Sequence, residues 1–173
     1  MKIKLIGLKM SEVYPFNSYI EYALRCAILL EAEYPKSLSM QRIVFYDYLL
    51  THSEDADGPK SIHLSVPNRI SEISVKREKM HGALLLLQAY DLVETLYNEK
   101  GIEYIASDEI TPFLNEIYSK YVNQLKTIAV WVCNSFDAYS DQELIEYFRK
   151  NIDKWGGEFE KSSLLFEEGI INE

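Results

Sequence analysis

Cysteine is scarce in this chain, two residues in 173, which excludes a disulfide framework or a cysteine-rich metal site as the basis of its fold. Cys26 and Cys133 both fall inside apolar helical patterns, where a small buried thiol is the expectation. Long apolar runs are missing as well. No segment offers the roughly eighteen uninterrupted apolar residues of a membrane span, and the early lysines are not followed by the apolar stretch of an export signal; the expected location is the cytoplasm. Positive charge is in short supply, with 18 Lys and Arg against 27 Asp and Glu and a formal net charge of -9. That balance excludes a surface given over wholly to nucleic acid, since phosphate binding rests on clustered cations. Any DNA contact must be local.

Catalytic signatures are wanting too. There is no Gly-rich loop ending in Lys-Ser or Lys-Thr to cradle phosphates, no GxSxG and no Cys-His motif with an activated nucleophile. The acids Glu31, Glu33, Asp47, Glu143 and Glu146 read as solvated helix faces rather than paired acid and base. No enzyme activity and no cofactor are expected.

What is present is ordinary globular composition, 47% apolar and 26% charged, and unusually clear punctuation. One domain over residues 1–173 is expected, with helices and a wing over 1–110 and a C-terminal helical extension and tail over 111–173. Ser18 to Glu21 spells a capping box, in which a serine oxygen and the glutamate three residues on satisfy first-turn amides. The helix behind it should bury Ile20, Ala23, Leu24, Ala27, Ile28 and Leu30 and stop at Pro35. Ser39 should cap a short second helix, about Met40 to Leu50, with Ile43, Val44, Tyr48 and Leu49 on its apolar side. Thr111-Pro112 predicts a long helix with the stripe Phe113, Leu114, Ile117, Tyr121, Leu125, Ile128 and Val132. A second capping box, Ser140 to Glu143, opens a last helix running to about Trp155 and stopping at Gly156-Gly157. Beyond it Leu164, Leu165, Phe166, Ile170 and Ile171 stand among acids, either packed on the domain or docked on a partner.

The stretch from Ser71 to Ser107 narrows the function furthest. Ile73, Met80, Ala83, Leu84, Leu87 and Tyr90 recur at helical steps. Two β-prone runs, Leu92 to Tyr97 and Ile102 to Ile105, then flank Asn98-Glu99-Lys100-Gly101, with Gly101 able to supply a positive φ. A helix followed by a hairpin is the order of a winged helix-turn-helix, so the expected fold is mainly α: a winged helix-turn-helix core with a short β-hairpin wing and additional C-terminal helices. Arg69, Lys76, Arg77 and Lys79 near the start of that helix are the candidates for DNA contact. Against them, Asp91 to Glu109 holds six acids and one lysine, a balance of -5, and an acidic wing is repelled by phosphate. Pairing of the basic group with Glu72, Glu78 or a partner's acids is the weightier reading.

The segment from His52 to Arg69 joins two helices without a helix or strand signal of its own, and loops that long usually have a job. His52, Asp55, Asp57 and His63 invite a metal. A calcium loop would lack its bidentate glutamate, because Leu64 falls at that position, and the histidines lack the spacing of a zinc site. No metal ligand is therefore expected; a turn at Gly58-Pro59 shaping a protein-binding loop is the plainer account. His81 reads as a helix-surface residue.

These residues carry a resemblance. Asn17 to Arg25, Phe45 to Leu49, and His52-Ser53 with Gly58-Pro59, Ser61, His63, Pro67, Asn68 and Arg69 are similar to the middle component of bacterial three-component ABC ATPase systems. The small subunit of Lamassu-type anti-phage complexes looks like the same family. The similarity continues through Val75 to Glu78, the wing, Thr111 to Leu114 and Trp155 to Phe159, while Leu64 stands where the family's usual proline follows the loop histidine. The resemblance implies a non-catalytic accessory subunit, an adaptor linking an SMC/Rad50-like ABC ATPase to an effector such as a nuclease in anti-phage defence. His52, Asp57, Gly58, Pro59, His63, Asn68, Trp155 and Phe159 are then the candidates for partner binding. The competing reading is a winged-helix transcription regulator dimerising through the helix from Phe113.

Overall fold

Helix α1, Tyr19–Glu33, begins where Ser18, in extended backbone, turns its Oγ to the Glu21 amide at 3.2 Å. A computed structural model describes residues 18–63, 69–151 and 154–155, with the backbone alone for 69–75. The capping box at this point is half used: Ser18 makes its bond, but the Glu21 carboxylate is turned to Arg25 and Tyr121 instead. Pro35 follows the helix, as its missing amide requires. Strand β1, Leu38–Ser39, is two residues long and leads directly into α2, Met40–Thr51, whose first turn is capped by Ser39 Oγ on the Arg42 amide at 3.1 Å.

Helix α2 is central. Every residue from Ile43 to Thr51 is buried, so the expectation of one apolar side, with Asp47 on a solvated face, is corrected: neighbouring helices α1, α3 (Arg69–Ala89), α5 (Lys120–Phe136) and α6 (Asp141–Asn151) all pack on it. A helix enclosed in this way must be apolar around its whole circumference or match its polar groups internally. On α1 the stripe from Ala23 to Leu30 is buried or nearly so, whereas Ile20 stands outside it at 74% exposed. The described part of the connection after α2, His52 to His63, also holds more local structure than expected. Ser53–Ala56 makes a short 3-10 turn ended by Asp57 in left-handed backbone (φ 56°), a conformation aspartate tolerates better than most residues.

Helix α3 ends in a Schellman motif. Leu92 donates its amide to the Leu87 carbonyl and Asp91, at φ 57°, donates to Gln88, while the buried Leu87 and Leu92 supply the apolar pair that accompanies this turn. Tyr90, assigned to the buried stripe from its spacing, lies past the last helical residue and is thrown out to solvent. Strands β2, Val93–Asn98, and β3, Gly101–Ala106, pair antiparallel, with Val93 opposite Ala106 and Tyr97 opposite Ile102. Gly101 does take the positive φ, 111°. The sheet order is β1-β3-β2, with Leu38 opposite Tyr104.

The single long helix expected from Thr111 is two. Helix α4, Ile110–Asn115, closes with bonds from Glu116 to Phe113 and from Ile117 to Leu114, and the chain resumes as α5 after the extended Ser119. Pro112 lies within the first turn of α4, where its missing amide costs no helical bond. The interruption lets Leu114 and Val122 both be buried and leaves Phe113 exposed. Helix α6 opens with the expected capping box in full: Glu143 donates its amide to Ser140 Oγ at 3.2 Å, and its carboxylate accepts from the Ser140 amide at 2.8 Å. Those bonds hold the Glu143 carboxyl below its ordinary range. Phe148 stacks on Phe45 at 4.1 Å between ring centroids, docking α6 on α2. Arg42 ties the same corner, donating to Asp141 at 2.7 Å and to the Tyr139 carbonyl. Residues 1–17, Ile73 as a side chain, Gly156-Gly157 and the apolar tail lie outside the described residues.

Gly58 packs against the indole of Trp131, where an added Cβ would sit 2.3 Å from the ring. We predict that Gly58→Ala lowers stability by about 1–3 kcal/mol, because the indole or the turn must move. Chemical denaturation followed by tryptophan fluorescence checks this.

Candidate functional site

Arg25 in the middle of α1, Asp47 in the middle of α2 and Lys76 on α3 are each no more than 1% exposed, and they meet. Arg25 grips Asp47 with two nitrogens, Nε on Oδ1 and Nη2 on Oδ2 at 3.3 Å, and Lys76 Nζ lies 3.1 Å from Oδ2. The second guanidinium arm, Nη1, donates to Glu21 Oε1 at 2.7 Å. That same oxygen accepts from Tyr121 of α5 at 3.0 Å, and His63 Nε2 stands 3.7 Å away. Aromatic faces complete the enclosure, with the Arg25 guanidinium 4.4 Å from the Tyr22 ring centre and Lys76 Nζ 5.6 Å from that of Tyr48. Two cations face two carboxylates, so the group is formally neutral. That condition, with hydrogen bonds on the remaining atoms, makes burial of the charges tolerable.

The titration directions follow from this enclosure. Burial alone would raise the Asp47 carboxyl, but Arg25 and then Lys76 outweigh it and hold the group below the usual carboxylate range. Burial would lower Arg25, yet Asp47 and Glu21 carry it above its ordinary value. His63 goes down, first through burial and then through the Arg25 charge, against the pull of Glu21. Burial, with Glu21 second, pushes the Tyr121 phenol up to about 12. These groups are all held in the forms that match one another at neutral pH, and what the arrangement does chemically is lock α1, α2, α3 and α5 together.

This corrects two expectations. Asp47, read as part of a solvated face, is at the centre of the core. Lys76, a candidate for DNA contact with pairing to Glu72, Glu78 or a partner's acids as the weightier reading, commits its ammonium to Asp47 from inside the protein. The signal was in the sequence: Arg25 stands within ALRCAILL and Asp47 within IVFYDYLLT, and a lone charge in an all-apolar run with no polar side to turn to must find an opposite charge within. Of the other basic candidates, Arg77 is exposed and reaches Gln41 Oε1 at 3.3 Å. Lys79 is half-buried with its Nζ 5.7 Å from the Tyr22 ring. Arg69 begins α3, its side chain outside the described residues.

The segment after α2 folds on itself. Ser53 Oγ donates to the Pro59 carbonyl at 2.8 Å, the Gly58 amide to the Ser53 carbonyl at 2.9 Å, and Glu54 and Ser61 bond reciprocally. His52 is buried, stacked on Tyr48 at 5.0 Å and 3.0 Å from Thr51 Oγ1 by Nδ1. Trp155, also buried, stacks on the same tyrosine at 5.4 Å between ring centroids and donates Nε1–H to the Asp55 carbonyl at 2.7 Å. Two of the partner-binding candidates, His52 and Trp155, are therefore inside the protein, clamping the segment to its body. Asp57 is exposed, and Gly58, Pro59 and His63 are half-buried. Asn68 and Phe159 lie outside the described residues. The rings of His52 and His63 approach edge to face at 6.1 Å, but among the described residues no three of His, Cys, Asp and Glu are grouped to hold a metal ion. Cys26 and Cys133 are buried thiols, and burial raises both above their ordinary range. His81 is exposed on α3. No helix among the described residues is long and apolar enough to cross a membrane. An open hollow of about 430 Å³ at the α4–α5 bend is lined by Asn115, Tyr118, Lys120, Asn123 and Lys126 among others, and by none of the candidate residues.

The geometry defines a helical protein with a small antiparallel sheet, its main group of charges enclosed among helices. The model of the family ABC-three component (ABC-3C) system Middle Component 2 matches residues 15–158, and the chain belongs to that family. No curated protein and no solved structure matches it.

Asp47→Asn leaves two buried cations facing one carboxylate, and a loss of about 3–5 kcal/mol is expected, against about 0.5 kcal/mol or less for the exposed Arg77→Ala; urea unfolding of both variants measures the contrast. The pH dependence has a defined sign. The unfolded His63 binds a proton near pH 6.5 and the folded one only at lower pH, so stability falls as pH drops below about 6.5. Asp47 adds a second loss as pH falls below the unfolded carboxyl value near 4. His63→Gln should lose less stability than the wild type between pH 7.5 and 5.5, about one unit either side of the ordinary histidine value.

Proposed function

We propose that this chain is a non-catalytic accessory subunit of an SMC/Rad50-like ABC ATPase complex of the Lamassu anti-phage type, an adaptor bridging the ATPase to a nuclease-like effector in the cytoplasm. The observation that carries the reading is membership of the middle-component family over residues 15–158, since a middle component implies partner subunits. The buried charge group supports it from the other side: the polar chemistry at the centre of the chain is consumed in holding helices together. The order α1-β1-α2-α3-β2-β3, with β1 added to the hairpin, supports a winged-helix core carrying C-terminal helices.

DNA contact in this reading is local and shared with the ATPase. With Lys76 enclosed, Arg77 and Lys79 remain the described candidates, beside an acidic hairpin. A winged-helix transcription regulator accounts for the helix-then-hairpin order but needs a basic reading face, and -5 over Asp91 to Glu109 opposes it.

Co-expression with the ATPase and the effector encoded beside it should give a stoichiometric complex. A chain that remains a well-behaved solitary monomer in the presence of both refutes the proposal. Isolated, the protein should bind DNA feebly and lose little when Arg77 and Lys79 become alanine; tight operator binding that collapses with those substitutions and with salt favours the regulator.

A further inference from the structure

The far end of the β2–β3 hairpin reaches past its support. β1 pairs with β3 only at Glu103 and Tyr104, and on the face where Val93, Ala106, Leu38 and Tyr104 are buried, the next cross-strand pair outward is Tyr97 opposite Ile102, 80% and 52% exposed. The apolar row of the sheet thus continues off the body into solvent, with a tyrosine as its outermost member. A large exposed aromatic paired with a branched aliphatic is the composition of an interface anchor and an unfavourable one for open surface. Beside this pair the loop carries Glu99 and Lys100, and along the hairpin and at its root acids predominate. Glu94 and Glu99 on the hairpin and Asp91, Asp108 and Glu109 at its root are all exposed. Glu103 is engaged with Ser37 and Asn98, and Lys100 is the single base between Asp91 and Glu109.

We propose that this hairpin end is a docking knob for a partner protein whose surface carries arginine or lysine around an apolar hollow that receives Tyr97 and Ile102. The proposal rests on the accessory-subunit reading and assigns that subunit one of its contacts. Complementary charge selects the occupant. Phosphate is repelled by the acids, and a second copy would set like against like in a chain of net charge -9. Residues 156–173 hold five glutamates and one lysine, again the wrong sign. Residues 1–17, with Lys2, Lys4 and Lys9 against Glu12, are the in-chain competitor, and the test includes them.

The chain is purified and its affinity for the ATPase and for the effector encoded beside it is measured at low and high salt. Tyr97→Ala with Ile102→Ala should weaken binding to one of them by about tenfold or more, and Glu94→Lys with Glu99→Lys should weaken it and flatten its salt dependence. All four side chains are exposed, so unfolding midpoints should stay near wild type and confirm that the fold is retained. Unchanged partner affinity in both variants overturns the knob while leaving the accessory reading standing; a wild-type chain that binds neither component removes both. A DNA complex or a homodimer abolished by the Tyr97 and Ile102 changes, or a peptide of residues 1–17 that binds a truncated chain only when Tyr97 and Ile102 are intact, also overturns it.

Discussion

Asp47 sets the terms for the rest of this protein. A carboxylate at the middle of a helix buried on every side can persist only if opposite charge reaches it from elsewhere. Here that charge arrives from two directions, Arg25 on α1 and Lys76 on α3. Because Arg25 brings Glu21 with it, and Glu21 brings Tyr121 and stands close to His63, one buried acid fixes the relation of α1, α2, α3 and α5 and the seat of the segment after α2. Apolar packing supplies area without direction. The charge group adds a requirement of register, since a helix displaced by one residue would leave an ion unmatched.

The same economy explains the segment from His52 to His63. Its length suggested an outward task, yet its polar groups bond among themselves and to the end of α2, and Trp155 closes over it from beyond α6. Several residues of this segment are thus accounted for by folding: a histidine under a tyrosine, a glycine beneath an indole, a serine holding a proline carbonyl. What is left outward is a protein acidic at its hairpin and studded there with exposed apolar side chains.

The elements themselves were largely legible. Serine caps, Pro35, and the change of hydrophobic period before the hairpin act locally, and local rules place helix starts and turns well. What failed depends on three dimensions. Tyr90 keeps the helical spacing but lies past the last helical residue, within a Schellman turn that Asp91 rather than a glycine makes. The bend between α4 and α5 leaves no proline or glycine to mark it, and the stripe from Leu114 to Val132 runs through it almost unbroken. Lys76, Arg77 and Lys79 are neighbours in sequence but not in environment. On a helix adjacent residues point in different directions: Lys76 faces the core, Lys79 lies one turn on, half-buried beside Tyr22, and Arg77 is exposed. The identity of the charge group needed the pairing of residues 22 apart, Arg25 and Asp47, which periodicity does not encode.

The buried charge group stands or falls with where the Lys76 ammonium resides. Amine-selective labelling of the folded chain, read lysine by lysine by mass spectrometry, reports this directly. Lys76 should be modified far more slowly than the exposed Lys100, and should catch up once the protein is unfolded. Labelling of Lys76 at the rate of Lys100 in the native protein would contradict the buried group and return this lysine to the surface.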